Sequence, residues 1–367
     1  MEAVKVLPFL LVFLVAASVL ILIPSSFDFE VNVEEEFTFF VEDSEMYIDW
    51  GDGSETSFNG TGYLTHSYNE SGKYNISIEG EAERISFYGE GENSGEGTPE
   101  KLTDVLTDLP SSFGVKSTKY MYRNVDFEGF DFAGLNGLSS LEDMSGTFMG
   151  SSFNGSLSEV DVSNVESMAS MFSGAEKFNQ DISGWDVSSV EDMSYMFSGA
   201  SSFNQDVSGW DTSSLEDMRF MFNRATSFNQ DLSGWDVSSV ESFEGVFYSA
   251  ESFNGSLQGW DTEGATSTGY MFSGAESFNR DISGWDVSSV EDMSSMFSGA
   301  ESFGQDLSEW DVSNVRSMQG MFLGSGMSYS LSEWEVGSVT SCYNFYEGSS
   351  IGEEELPDFV NCFPTNL

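Results

Sequence analysis

The chain has 367 residues, with 62 Asp and Glu against 12 Lys and Arg, giving a formal net charge of −50. A surface this acidic excludes nucleic acid as a partner, because phosphates require a basic face. Aromatic residues make up 15% of the chain, too many for a disordered acidic tail, so the sequence describes a folded protein with an acidic skin. Such a skin repels itself at low salt; adaptation to concentrated salt and a cation-loaded surface both fit it.

Residues 1–26 contain an apolar run from Val6 to Ile23, broken only by Pro8 and Ser18. As a helix the run would reach roughly 27 Å, just enough for a bilayer. Lys5 precedes it, and Asp28, Glu30 and Glu34 follow. That bias keeps the N-terminus inside and sends the rest outside. The run is read as an apolar helix that is either a cleaved signal peptide or a retained single-pass membrane anchor. It is longer than a usual signal core, and its small residues Ala16-Ala17-Ser18 lie inside it. Either reading puts the remainder at the cell surface or in the extracellular space.

Residues 27–90 read as an all-β module. Phe29, Val31 and Val33 alternate, as do Met46, Ile48 and Trp50, and Tyr74, Ile76 and Ile78. Trp50-Gly51-Asp52-Gly53 is a turn signal, followed by His66-Ser67-Tyr68 and Gly72-Lys73-Tyr74. This order resembles the PKD-like (polycystic kidney disease-type) immunoglobulin-like sandwich, and the resemblance implies a spacer or adhesive role. The stretch is short for a full sandwich. Asp43 and Asp52 could ligate Ca²⁺ through oxygen, but turn formation is the commoner use of such residues. His66, the one histidine, is read as a strand residue with a hydrogen-bonding role.

Residues 91–114 read as a linker and the start of a cap. From there to residue 346 the chain repeats. Residues 171–195 are MFSGAEKFNQDISGWDVSSVEDMSY, and residues 196–220 repeat them closely. Trp185, Trp210, Trp235, Trp260, Trp285 and Trp310 fall 25 apart, and Trp334 comes one residue early. A fixed period of this length predicts a solenoid whose coils bury one another's apolar faces. Within a coil, residues around Ile182 suit a short strand. Val190, Met193, Met196 and Phe197 fall on one helical face, with a capping-box pattern at Ser188 and Glu191 and a terminator at Gly199. The expected fold is therefore an α/β repeat solenoid with a short strand and a short helical turn per coil. Asn154, Asn179, Asn204, Asn229, Asn254 and Asn279 form one ladder, expected to be buried and bonded to neighbouring backbone.

The unit FNQDISGWDVSSVEDMSYMFSGA resembles the repeat of the BspA-like leucine-rich-repeat surface proteins, which include mycoplasma surface lipoprotein repeats. The resemblance covers residues 115–346. It implies a leucine-rich-repeat-like solenoid on a surface or secreted protein, with adhesive or interaction roles. No Cys lies near the apolar run, so the lipoprotein route of some relatives is closed.

Residues 347–367 read as a C-terminal cap. Cys342 occupies the slot of Met193 and points inward; Cys362 lies in the cap. A disulfide stapling the cap is the reading outside the cell, and a free buried thiol is the alternative. Sequons at Asn59, Asn69, Asn75, Asn154 and Asn254 are glycosylation candidates, the last two in the buried-ladder slot. No Ser-His-Asp set, HExxH pair, phosphate loop or CxxC occurs, so no enzyme, catalytic residue or resident cofactor is expected. Asp181, Asp206, Asp231, Asp281 and Asp306 form one acidic ladder, and Asp186 to Asp311 another. Carboxylates about 5 Å apart repel by about 1 kcal/mol even in water. Either hydrogen bonds at turns or Ca²⁺ or other bound cations must offset this.

The expected function is a surface-exposed or secreted interaction or adhesion protein binding an extracellular protein or glycan. Alternatives are an envelope-layer or filament subunit, or a secreted carbohydrate-binding or carbohydrate-active protein. One coil breaks the pattern: Val246 replaces Met, Asn254-Gly255-Ser256 replaces Asn-Gln-Asp, Ala265 replaces Val and Thr268 replaces Met. Residues 246–270 are therefore expected to form the least regular coil, with lost volume, and to border the partner surface.

Overall fold

The structure, a computed structural model, describes residues 26–33, 36–87, 102–105, 113–127, 135–136 and 138–364. The expected apolar helix and the Gly89–Thr98 part of the linker lie outside them. Among the described residues no helix is long and apolar enough to cross a membrane.

Alternation of apolar residues builds the N-terminal module. Its strands are β1 (Phe27–Val33), β2 (Glu36–Asp49), β3 (Glu55–Ser67), β4 (Gly72–Glu81), β5 (Arg84–Ser86) and β6 (Leu102–Val105). They form one antiparallel sheet in the order β3-β2-β4-β1-β6, with β5 on β2. The immunoglobulin-like expectation of two facing sheets is corrected to this single sheet. The reason lies in β2, which is 14 residues long and carries a register shift between Val41 and Ser44, with Asp43 at φ 41°. Its first half pairs with β5 and its second half with β4, so the sheet closes over its own core. Phe29 meets Phe37 at 5.9 Å and Phe87 at 4.9 Å in that core. Leu102–Val105, expected to be linker, returns to pair with β1.

Strand β5 also starts the repeat. Arg84 forms a parallel bridge to Ser117, the Phe87 amide donates to Met121 O, and the Phe87 and Tyr122 rings lie 5.8 Å apart. The module thus covers the apolar end of the first coil, which a solenoid otherwise exposes to water.

Parallel bridges then link successive coils from Ser117 through Asp143, Ser167 and Asp192 to Asp217, and again from Ser242 to Ser341. The expected α/β, leucine-rich-repeat-like coil with a helical turn is not formed. Among the described residues there is no α-helix; a short 3-10 turn, Glu353–Glu355, lies in the cap. The backbone at the supposed helix explains why. Tyr195 stands at φ 57° and Gly199 at φ 71°, so every fourth residue is left-handed and no helix can run. Amides alternate accordingly. Met193, Tyr195, Phe197 and Gly199 donate forward to Asp217, Arg219, Met221 and Asn223. Met196, Ser198 and Ala200 close four-residue turns on their own coil. Met193, Met196 and Phe197 still point inward, and this mimicked a helical face. The capping box fails too: the Glu191 amide donates to Glu166 O, and Ser188 Oγ donates to Asp186. The bridge expected near Ile182 falls at Asp192 instead.

The core is a set of files running along the stack. Phe172, Phe197, Phe222, Phe247, Phe272, Phe297 and Phe322 repeat at 5.6–5.7 Å, nearly parallel. A second file runs from Phe153 to Phe303, its rings within about 4 Å of the first file inside each coil. The Trp file is buried, and Trp185 to Trp210 spans 6.5 Å. At the far end, Cys342 and Cys362 form a disulfide with Cα atoms 5.9 Å apart. Phe345 packs on Phe359 at 5.1 Å beneath it.

Candidate binding surface

Polar ladders cover the outside of the stack. The Asn ladder bonds to backbone but is not buried, which corrects the expectation. Asn154 Oδ1 accepts the Asn179 amide at 2.9 Å, Asn179 accepts Asn204 at 3.0 Å, and Asn279 accepts Gly304 at 3.0 Å. Each side chain thus satisfies a backbone donor that no strand would reach. Asn154 is exposed and Asn254 half-exposed, as part of that ladder; Asn59, Asn69 and Asn75 are exposed on the module.

The Asp ladders sit in turns. Asp186, Asp236 and Asp286 accept the amide two residues on and the hydroxyls of Ser188, Ser238 and Ser288 at 2.6–2.7 Å. Those hydroxyl bonds, followed by the amide bonds, hold the carboxyls below the usual carboxylate range. Asp181, Asp231 and Asp281 are held down in the same way by Ser183, Ser233 and Ser283. Among the described residues no three His, Cys, Asp or Glu side chains converge as a metal site. The offset to ladder repulsion visible here is local hydrogen bonding.

His66 lies on β3 with Nε2 2.9 Å from Asp52 Oδ2, stacked on Trp50 at 4.7 Å. Ser54 Oγ approaches the same nitrogen at 3.2 Å and bonds Asp52 Oδ1. Ser54 and His66 together bring the Asp52 carboxyl down to about 2. All three groups share one side of the ring, so no relay from hydroxyl through imidazole to carboxylate exists. The set latches the turn that follows β2. Asp43 accepts from Thr61 within the bulge of β2.

The irregular coil is where the surface changes. Its inside is not short of volume: Phe243 occupies the Met slot one coil before Thr268, and its ring packs on Trp260 at 5.5 Å. The large residue fills what Val246, Ala265 and Thr268 give up. Outside, a groove of about 700 Å³ runs between Ser256–Asp261 and Arg280–Trp285. Beside it lies a second depression, bounded by Asn229, Asp231, Gly255 and Arg280. Gly255 is buried, and a Cβ there would run into the Gln230 carbonyl. Sequence reasoning missed Arg280 and Trp285; the signal was Arg280 standing where Gln180, Gln205, Gln230 and Gln305 stand.

These features define a class: a repeat protein held by inter-coil ladders and capped at both ends. The family is specific. The Mycoplasma protein of unknown function family, DUF285, matches residues 116–215, 184–277 and 256–359, together about two-thirds of the chain, and the chain belongs to it. No curated protein and no solved structure matches it.

Proposed function

We propose that this chain is a non-enzymatic interaction protein that presents its coil stack outside the cell, in the manner of the BspA-like surface repeats it resembles. The observation that carries the reading is the outer face. Asn, Gln, Asp and Ser recur there in register over coil after coil, the Gln amides donating to Asn of the preceding coil and the Ser hydroxyls to Asp within their own turn. A rigid, repeated polar face suits recognition of an extended partner with its own repeat, such as a glycan or an extracellular protein. The disulfide in the cap supports an oxidising, extracytoplasmic setting.

The test is an array of glycans and extracellular proteins probed with the full chain at high salt. Specific, saturable binding to a polymer or surface protein is the expected result. Turnover of an array substrate, or no binding to any class at any salt, overturns the reading.

A further inference from the structure

The groove between Ser256–Asp261 and Arg280–Trp285 differs from its equivalents in other coils by two freed donors. Trp185, Trp210, Trp235, Trp260, Trp310 and Trp334 each donate Nε1 to a carbonyl of the preceding coil, at 2.9–3.3 Å. The same register would pair Trp285 with Leu257 O. Among the described residues Trp285 Nε1 has no acceptor. The backbone beside it shows a second departure. Gly259 stands at φ 97°, while its counterparts Gly184, Gly209, Gly234 and Gly284 avoid the left-handed region. Only glycine holds that conformation without strain.

Arg280 supplies the other donors. Its Nε donates to Asn254 O at 2.6 Å, which fixes the guanidinium on the rim shared by the groove and the neighbouring depression. Among the described residues the two terminal nitrogens have no hydrogen-bond partner and no close ion pair, although the guanidinium faces Asp231 across the depression and helps hold that carboxyl down. Two other exposed arginines of the stack are held in ion pairs, Arg219 with Asp217 at 2.6 Å and Arg316 with Glu291 at 3.4 Å; Arg224 is exposed as well but does not line this groove. Ser256 also stands where Asp181, Asp206, Asp231, Asp281 and Asp306 stand, so one ladder carboxylate is missing at this place. The wall otherwise offers the Gln258 amide and the Asp261 and Asp281 carboxylates, which accept from hydroxyls.

We propose that this groove binds an acidic sugar, a uronic-acid unit of an oligosaccharide, with its carboxylate on Arg280 and Trp285 Nε1. The proposal rests on the interaction reading above and names its ligand class. A guanidinium whose two terminal nitrogens remain open suits a carboxylate, which takes two parallel bonds from that edge. A purely anionic ligand is disfavoured by Asp261 and Asp281, whereas a ligand that adds hydroxyl donors satisfies them. The volume lies in the range of small-ligand sites.

The experiment is calorimetric titration of the full chain with a glucuronate-containing oligosaccharide in molar NaCl, where the Debye length is about 3 Å and the acidic skin is screened. The neutral oligosaccharide of the same linkage and an acidic peptide of the same charge are run beside it. Arg280→Gln restores the residue used in other coils and should leave the melting temperature unchanged while weakening the glucuronate ligand at least about tenfold. Trp285→Phe removes the indole N–H together with part of a buried, stacked ring, so its melting temperature is measured beside its affinity; with the fold retained it should weaken the ligand as well. Arg316→Gln, on the same stack, should have no effect. Equal affinity for the neutral sugar, equal affinity for the acidic peptide, or binding indifferent to Arg280→Gln overturns the proposal. No glucuronate binding alongside other specific array hits also overturns it while leaving the interaction reading standing; no array binding at all removes both.

Discussion

Replacing Trp235 by Ala should be among the costliest single changes in this protein. Trp235 is 2% exposed, lies 6.1 Å from Trp210 and 6.3 Å from Phe222, and donates Nε1 to Val207 O at 3.0 Å. Removing a buried indole costs roughly 3–5 kcal/mol through lost transfer energy and the cavity left behind. The Val207 carbonyl loses its partner, which adds about 1–3 kcal/mol if water cannot reach it. Against a total stability of about 5–15 kcal/mol, the coil becomes a weak point in the middle of the stack. Trp235→Phe keeps most of the buried area and loses the hydrogen bond, so it should cost about 1–2 kcal/mol. Urea unfolding followed by circular dichroism measures both. The reasoning fails if Trp235→Ala lies within about 1 kcal/mol of the parent, or if Trp235→Phe costs as much as Trp235→Ala.

Thr268 is buried and its hydroxyl has no partner among the described residues, so Thr268→Val should raise stability by about 1 kcal/mol, whereas Thr268→Met should lower it against Phe243. A stabilising Thr268→Met in the same urea assay would show that Phe243 does not fill the space. In molar NaCl, where general repulsion is screened, acidification should weaken the fold through the serine-bonded Asp ladders. Their folded carboxyls sit below the ordinary 3.8, so their contribution is complete above that pH and is lost as pH falls through the lower folded values. Alanine at Ser188, Ser238 and Ser288 should flatten that acid limb, and an unchanged limb would sink the assignment. At neutral pH, added NaCl should raise the unfolding temperature; a melting curve flat from low to molar salt would contradict a strained acidic skin. Reducing the Cys342–Cys362 bond, which closes a loop across 20 residues, should cost roughly 2–4 kcal/mol and expose amides of the cap first in hydrogen exchange.

The repeat was legible because its register is strict: Trp and Phe every 25 residues can only be files in a stack. The role of the Asn ladder was legible in kind, since Asn bonds backbone well, but its burial was not, because the donor it satisfies lies at the rim. The helix was misread for a physical reason. Tyr195 and Phe220 adopt φ near 57° without being Gly or Asn, and nothing in their chemistry announces it. The conformation is held by the neighbouring coil, which takes the Tyr195 amide at 2.9 Å, and a single repeat carries no trace of that partner. Four-residue turns and a helix also place nearly the same residues inward. The irregular coil was legible as a place but not as an effect. Ala265 and Thr268 read as lost volume only until Phe243 is set in the adjacent coil, where large and small trade places. Arg280 was visible as a substitution, but its meaning depends on Gly259 and on the unbonded Trp285, which geometry alone reveals.

The polar face exists only if each coil hands its amides to the next. Scalar coupling across hydrogen bonds, measured by NMR on isotope-labelled protein, reads this directly at Phe197. Its amide should couple to the carbonyl of Met221, the acceptor 2.9 Å away in the following coil. Coupling to the Met193 carbonyl instead would mean that the segment is helical and would contradict the account.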